Sequence, residues 1–170
     1  MNLSKELAKQ AKRHRICAEW HTRLKNLSDK PAMIEMYLAG IDFCLANDYP
    51  SNDFIRTYFK GDMERLGVYL DDSIHLTNPK KCVALGNTKG DIEINSYVVS
   101  EIFVKNDSEL TIVAKDDAFV MVDAFDNSTV HVWTYGRAKL CVNQYGNAKI
   151  HGKELDFSAI KIIEKHRKTY

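Results

Sequence analysis

The stretch WTYGRAKLCVNQYGNAKI, residues Trp133–Ile150, carries one phrase twice: Tyr-Gly-Arg-Ala-Lys-Leu-Cys-Val from Tyr135, then Tyr-Gly-Asn-Ala-Lys-Ile from Tyr145. Followed outward, the phrase resolves into ten-residue units, Ser108–Asp117, Ala118–Asn127, Ser128–Arg137 and Ala138–Asn147, with Ala148 opening a fifth. Position one of each unit is Ser or Ala. Position three is Leu110, Val120, Val130, Leu140 and Ile150; position five is Ile112, Val122, Val132 and Val142, with Ile102 and Ile92 in step upstream. Positions nine and ten collect Asp116, Asp117, Asp126, Asn127, Gly136, Gly146 and Asn147, residue types that accept turn conformations.

Alternate residues of a strand point to one face, so positions three, five and seven predict an inward apolar row and the turn residues a corner every ten residues. One unit cannot bury its row alone, whereas stacked units can. Two topologies satisfy the pattern. In a β-solenoid, like positions of successive units stack, so that Val122, Val132 and Val142 occupy neighbouring rungs. In an antiparallel β meander, successive units pair through tight turns. The small residue at position one favours the solenoid, because equivalent corner residues pile up there and only small ones fit.

The segment from about Ile92 to Ile150 resembles the short-repeat β-solenoid proteins with Gly-Asn-Ala-like corners that occur in bacteria and their phages. The resemblance is architectural and implies no catalytic residues. It implies a binding or scaffold module, and by extension a mobile-element or phage product that inhibits a host defence nuclease.

The front of the chain has a different texture. Ser4 is a candidate helix cap, and Ile16, Trp20, Leu24 and Leu27 recur on one side of a helix. Pro31 suits a first helical position, the run AMIEMYLAGIDFCLAND predicts one well-buried helix, and Phe54, Ile55, Tyr58 and Phe59 predict the inward side of a third helix that Gly61 stops. Short strands are expected at Gly67–Leu70 and Cys82–Leu85. The expected class is therefore α+β, with a helical portion over residues 1–61 and a β-rich portion over 62–170.

Composition narrows the function classes. With 45% apolar and 28% charged residues and a net charge of +1, the chain reads as a folded protein without a global pull toward nucleic acid or membrane. Neither a signal-peptide core nor a run near the ~20 apolar residues of a membrane span is present, so a cytoplasmic location is expected. Cys17, Cys44, Cys82 and Cys141 stand far apart, which argues for buried small hydrophobes over a zinc module or disulfides. Nucleotide-cradling, serine-hydrolase and zinc-protease motifs do not occur. No cofactor or metal is expected. His14 with His21 and His131 with His151 are the histidine pairs at suggestive spacings, without acidic partners at a fixed offset.

The stronger surface signal is aromatic. Position eight reads Phe125, Tyr135 and Tyr145, which the stacked reading places in line, with Trp133 on the same outward face and Arg137, Lys139 and Lys149 nearby. Aromatics interleaved with cations anchor protein interfaces. Phe125, Trp133, Tyr135, Arg137, Tyr145 and Lys149 are thus candidate contacts for another protein or a nucleoprotein complex, unless the rings serve as core. The alternative function is nucleic-acid binding through Lys12, Arg13, Arg15 and Arg23 and the basic tail, since residues 1–30 hold eight Lys or Arg against three acids. An exposed last coil would invite edge pairing and a homodimer.

Overall fold

A computed structural model describes residues 2–170. The chain divides into two compact units, one ending at Leu66 and one spanning Gly67–Thr169. The first is helical and the second is a parallel β-solenoid.

Helix α1 (Leu3–Arg13) is capped by Asn2, whose side-chain oxygen accepts the Lys5 N–H at 3.1 Å. Ser4, the expected cap, instead lies buried inside the helix and donates to the Lys25 carbonyl at 3.2 Å. The chain breaks before α2 (Ala18–Lys25), because Arg15 takes a left-handed conformation at φ 61°, so Ile16 lies off the helix that carries Trp20 and Leu24. Helix α3 (Lys30–Ala39) starts as expected, with Pro31 in its first turn and Asp29 accepting the Ala32 N–H at 2.8 Å. The single buried helix predicted from Ala32 to Asp48 is two: Gly40 ends α3, and α4 (Ile41–Ala46) follows. A Cβ at Gly40 would stand 3.0 Å from the Trp20 ring, so the break coincides with a close approach that a side chain would obstruct. Helix α5 (Asn52–Tyr58) is capped by Ser51 and followed by Gly61 at φ 95°. Ile55 and Phe59 are buried, while Phe54 and Tyr58 remain half-buried.

The second unit comprises strands β1 (Val68–Leu70), β2 (Ser73–Thr77), β3 (Lys81–Leu85), β4 (Lys89–Ile94), β5 (Val99–Val104), β6 (Glu109–Ala114), β7 (Phe119–Ala124), β8 (Thr129–Thr134), β9 (Lys139–Gln144), β10 (Lys149–Glu154) and β11 (Ala159–Glu164). Odd strands form one parallel sheet in the order β1-β3-β5-β7-β9-β11, and even strands form the other, β2-β4-β6-β8-β10. The solenoid topology holds, and the meander does not.

Its period corrects the sequence reading. Residues twenty apart stack, as Val122 on Val142 and Ile112 on Val132, whereas residues ten apart lie on opposite sheets. A ten-residue unit is half a coil: one strand and one corner. Positions three, five and seven do point inward, and the row Ile92, Ile94, Ile102, Leu110, Ile112, Val120, Val122, Val130, Val132 and Val142 is fully or almost fully buried between the sheets. Each such side chain contributes about 1.5–3 kcal/mol of burial.

The corners explain the turn residues. Position nine is left-handed in unit after unit, at Asn106, Asp116, Asp126, Gly136, Gly146 and Asp156, all with φ between 58° and 63°. Gly needs no side-chain relief there, and Asp or Asn tolerates the conformation while adding a bond. The Asp116 carboxylate accepts the Ser96 N–H at 2.8 Å, Asp126 that of Asn106 at 3.1 Å, and Asp156 that of Gly136 at 3.0 Å. Corner carboxylates thus tie each coil to its predecessor. Position one, Ser108, Ala118, Ser128, Ala138 and Ala148, is buried at the corners.

Candidate docking surface

The predicted aromatic row does not assemble as a line. Phe125 and Tyr145 are twenty apart and do stack, with centroids 4.7 Å apart at 14°, but both are buried. Tyr135, ten from each, belongs to the opposite corner. Phe125 and Tyr145 are therefore corner fillers, with the Lys105 ammonium 5.5 Å from the Phe125 ring and the Arg167 guanidinium 5.9 Å from the Tyr145 ring. The ten-for-twenty error in period is the physical reason: it merged two corners into one.

Trp133 projects from the outer wall of the even sheet, half-exposed, with the Lys153 ammonium 5.3 Å from its ring. Lys149 starts the last strand of that wall and is exposed. The same wall carries His131 and His151, which stack at 5.1 Å as their twenty-residue spacing requires. His131 also meets Glu109 at 3.2 Å, an acidic partner from the preceding rung that no fixed sequence offset announced. His75 also meets Asp91 on this wall, and Lys115 pairs with Glu93 at 3.0 Å at its margin. Lys115 holds the Glu93 carboxyl below its usual range. His14 lies past the end of α1, so it shares no helix with His21.

The odd sheet presents a different outer wall. Its two more accessible outward columns read Val99, Phe119, Lys139, Ala159 and, alongside, Glu101, Met121, Cys141, Lys161, in which Glu101 and Cys141 are half-buried; the third, Phe103, Asp123, Asn143 and Ile163, is buried or half-buried. The adjoining corner stacks Tyr97, Asp117, Arg137 and Phe157 in the same twenty-residue step. Large apolar side chains are solvent-exposed here: Tyr97 80%, Val99 59%, Phe119 40%, Met121 42% and Phe157 90%. Among the described residues, most exposed large apolar side chains sit on this wall and corner. Arg137 is fixed beside them by a bidentate pair with Asp117, Nε to Oδ1 at 2.7 Å and an Nη at 2.9 Å from Oδ2. That pair lowers the Asp117 carboxyl from its ordinary value and raises the Arg137 guanidinium.

A contiguous apolar strip rimmed by ordered charges is what a macromolecular contact uses. Of the candidate contacts proposed from the sequence, Arg137 alone borders this strip; Lys139, noted beside them, follows Phe119 on the next rung. Tyr97, Val99, Phe119 and Met121 were missed, although Phe119 and Met121 stand at successive outward positions where neighbouring units place Glu109 and Thr111 or Thr129 and His131. Two apolar residues in a row on the polar phase of a strand were the available signal.

Buried thiols offer no chemistry: burial pushes Cys44 and Cys82 up to about 12, so both stay protonated at neutral pH. Among the described residues, no group of three or more His, Cys, Asp or Glu is arranged to hold a metal ion. Nor, among the described residues, is any helix long and apolar enough to cross a membrane. At the other end of the chain, Lys12, Arg13 and Arg15 are exposed around the end of α1, and Arg23 is exposed with its guanidinium 5.9 Å from the Trp20 ring. No protein-family model, curated protein or solved structure matches the chain.

Proposed function

We propose that this protein is a non-enzymatic protein-binding module that presents the outer wall of its odd-stranded sheet for docking. The observation that carries this reading is the exposed strip of Tyr97, Val99, Phe119 and Met121 beside the fixed Arg137–Asp117 pair. Side chains on parallel rungs keep a spacing of about 4.8 Å, so the strip is a rigid pattern that loses little conformational entropy on contact. The architectural resemblance extends the proposal to a finer identity, a phage or mobile-element product that blocks a host defence nuclease.

Phe119→Asp with Met121→Glu tests the reading. Both positions are surface, so the fold should persist by circular dichroism while every stoichiometric protein association of the full chain, with itself or with a lysate component, falls at least tenfold. Unchanged association in the double variant overturns the assignment of the wall.

A second reading, nucleic-acid binding, is favoured by the exposed cluster Lys12, Arg13, Arg15 and Arg23. Under it, single-stranded RNA or DNA binds at low salt, weakens steeply as salt rises, and is lost with Arg13→Glu and Arg15→Glu. No binding at low salt removes this alternative.

A further inference from the structure

Resting on the docking role of the odd-sheet wall, we infer that the partner it fits is a second copy of the same chain, related by a twofold axis parallel to the strands and passing between β7 and β9. Such an axis reverses the order of the rungs: β5 faces β11 of the second copy, and β7 faces β9. The columns are self-complementary under that reversal. Glu101 meets Lys161 of the second copy, Met121 meets Cys141, and Val99 meets Ala159. Phe119 meets Lys139, a cation over an aromatic face. At the corner, Tyr97 meets Phe157, and Asp117 meets Arg137, so that two bidentate pairs join into a cluster of alternating charge.

Every one of these juxtapositions is apolar on apolar, cation on ring or acid on base, and each occurs twice by symmetry. The wall has this property because, over the four rungs that face each other, β5 to β11, the acids Glu101, Asp117 and Asp123 lie on the earlier rungs and the bases Arg137, Lys139 and Lys161 on the later ones. Lys81, one rung before Glu101, pairs with it at 3.2 Å, so Glu101 is shared between Lys81 of its own chain and Lys161 of the second copy. No like charges face each other. The two walls would pack as aligned sheets, about 10 Å apart.

The open end of the solenoid is the competing self-contact, and its chemistry opposes it. There the inward position seven carries Glu154 and Glu164, where earlier coils place Ala114 and Thr134 or Ala124 and Gln144. A second coil laid on that end would bury carboxylates. With strands of about 20 Å and four rungs about 4.8 Å apart, the wall is smaller than the ~800 Å² per partner of a standard interface, which sets a weak, reversible dimer.

Charge reversal tests the pairing on the full chain by sedimentation velocity over a wide concentration range. The wild-type chain is expected to pass from monomer to dimer. Glu101→Lys alone and Lys161→Glu alone each place like charges opposite and should weaken the dimer tenfold or more. An equimolar mixture of these two variants, and the single chain carrying both changes, should restore it. A chain that stays monomeric at every concentration overturns the second-copy inference and leaves the docking role to be decided by the Phe119→Asp, Met121→Glu experiment. A dimer indifferent to the reversals but broken by Ile162→Asp at the open end overturns the inference as well.

Discussion

Asp116 shows how much one corner residue carries. It sits at φ 58°, and its carboxylate accepts the Ser96 N–H of the preceding coil at 2.8 Å. Asp116→Gly removes the bond and keeps a residue suited to the conformation, at a cost of about 0.5–1.5 kcal/mol. Asp116→Ala removes the bond and adds the left-handed penalty, so it should fall below the glycine variant by about 1 kcal/mol in chemical denaturation. Asp117, one residue on, reports through pH. Arg137 lowers its folded-state carboxyl below the ordinary 3.8, so the pair's contribution to stability is present above that value and is lost as pH falls through the folded-state value. Arg137→Gln should therefore make the stability difference from wild type shrink below pH about 4, measured as thermal midpoints across an acid series.

At the scale of the strand, the interior code grades along the stack. Inward position seven runs Ala114, Thr134, Glu154 on one sheet and Val104, Ala124, Gln144, Glu164 on the other, so the later coils become polar where earlier ones are apolar. Glu154 also reaches across to accept the Ile160 N–H at 2.6 Å, occupying a backbone donor of the last strand. Inward charges of this kind protect an unpaired sheet edge. Glu154→Val with Glu164→Val should leave the fold intact and bring on end-to-end assembly, visible as rising light scattering that does not depend on Phe119 or Met121. The strands themselves were legible wherever position three and five held Val, Ile or Leu at a ten-residue spacing. In the first coils β1 and β3 were legible from their short apolar runs, but β2 and the stacking were not, for a physical reason: Val68 pairs with Val83 and Ser73 with Lys89, spacings of 15 and 16 residues that carry no ten-residue echo. The exposed apolar strip on the odd sheet was hidden by the same period, since a repeat of ten describes what faces inward and says nothing about which sheet a strand joins. Helix breaks at Arg15 and Gly40 were hidden because they depend on a left-handed arginine and on a neighbouring indole, neither of which leaves a local pattern.

For the whole molecule, the two units carry their own reporters. Cys44 is buried in the helical unit and Cys82 in the solenoid interior, both pushed up to about 12, while Cys17 is exposed. A neutral-pH thiol reagent should modify Cys17 at once and the two buried thiols only on opening of their own units. In a Cys17→Ser, Cys141→Ser background, labelling of Cys44 and Cys82 across a denaturant series should resolve whether the units open together or apart, with coincident midpoints expected only for a single cooperative transition.

The alternation of strands between two sheets gives this chain a parity. Excising one ten-residue unit ahead of β9 would leave the Val, Ile and Leu side chains of inward positions three and five among apolar neighbours, yet each later strand would change sheets, carrying Lys139 and Lys161 to the far side of the solenoid. Excising two would return them. A gene of this kind can therefore lengthen or shorten in tens without unfolding its product, but only in twenties without turning its surface inside out.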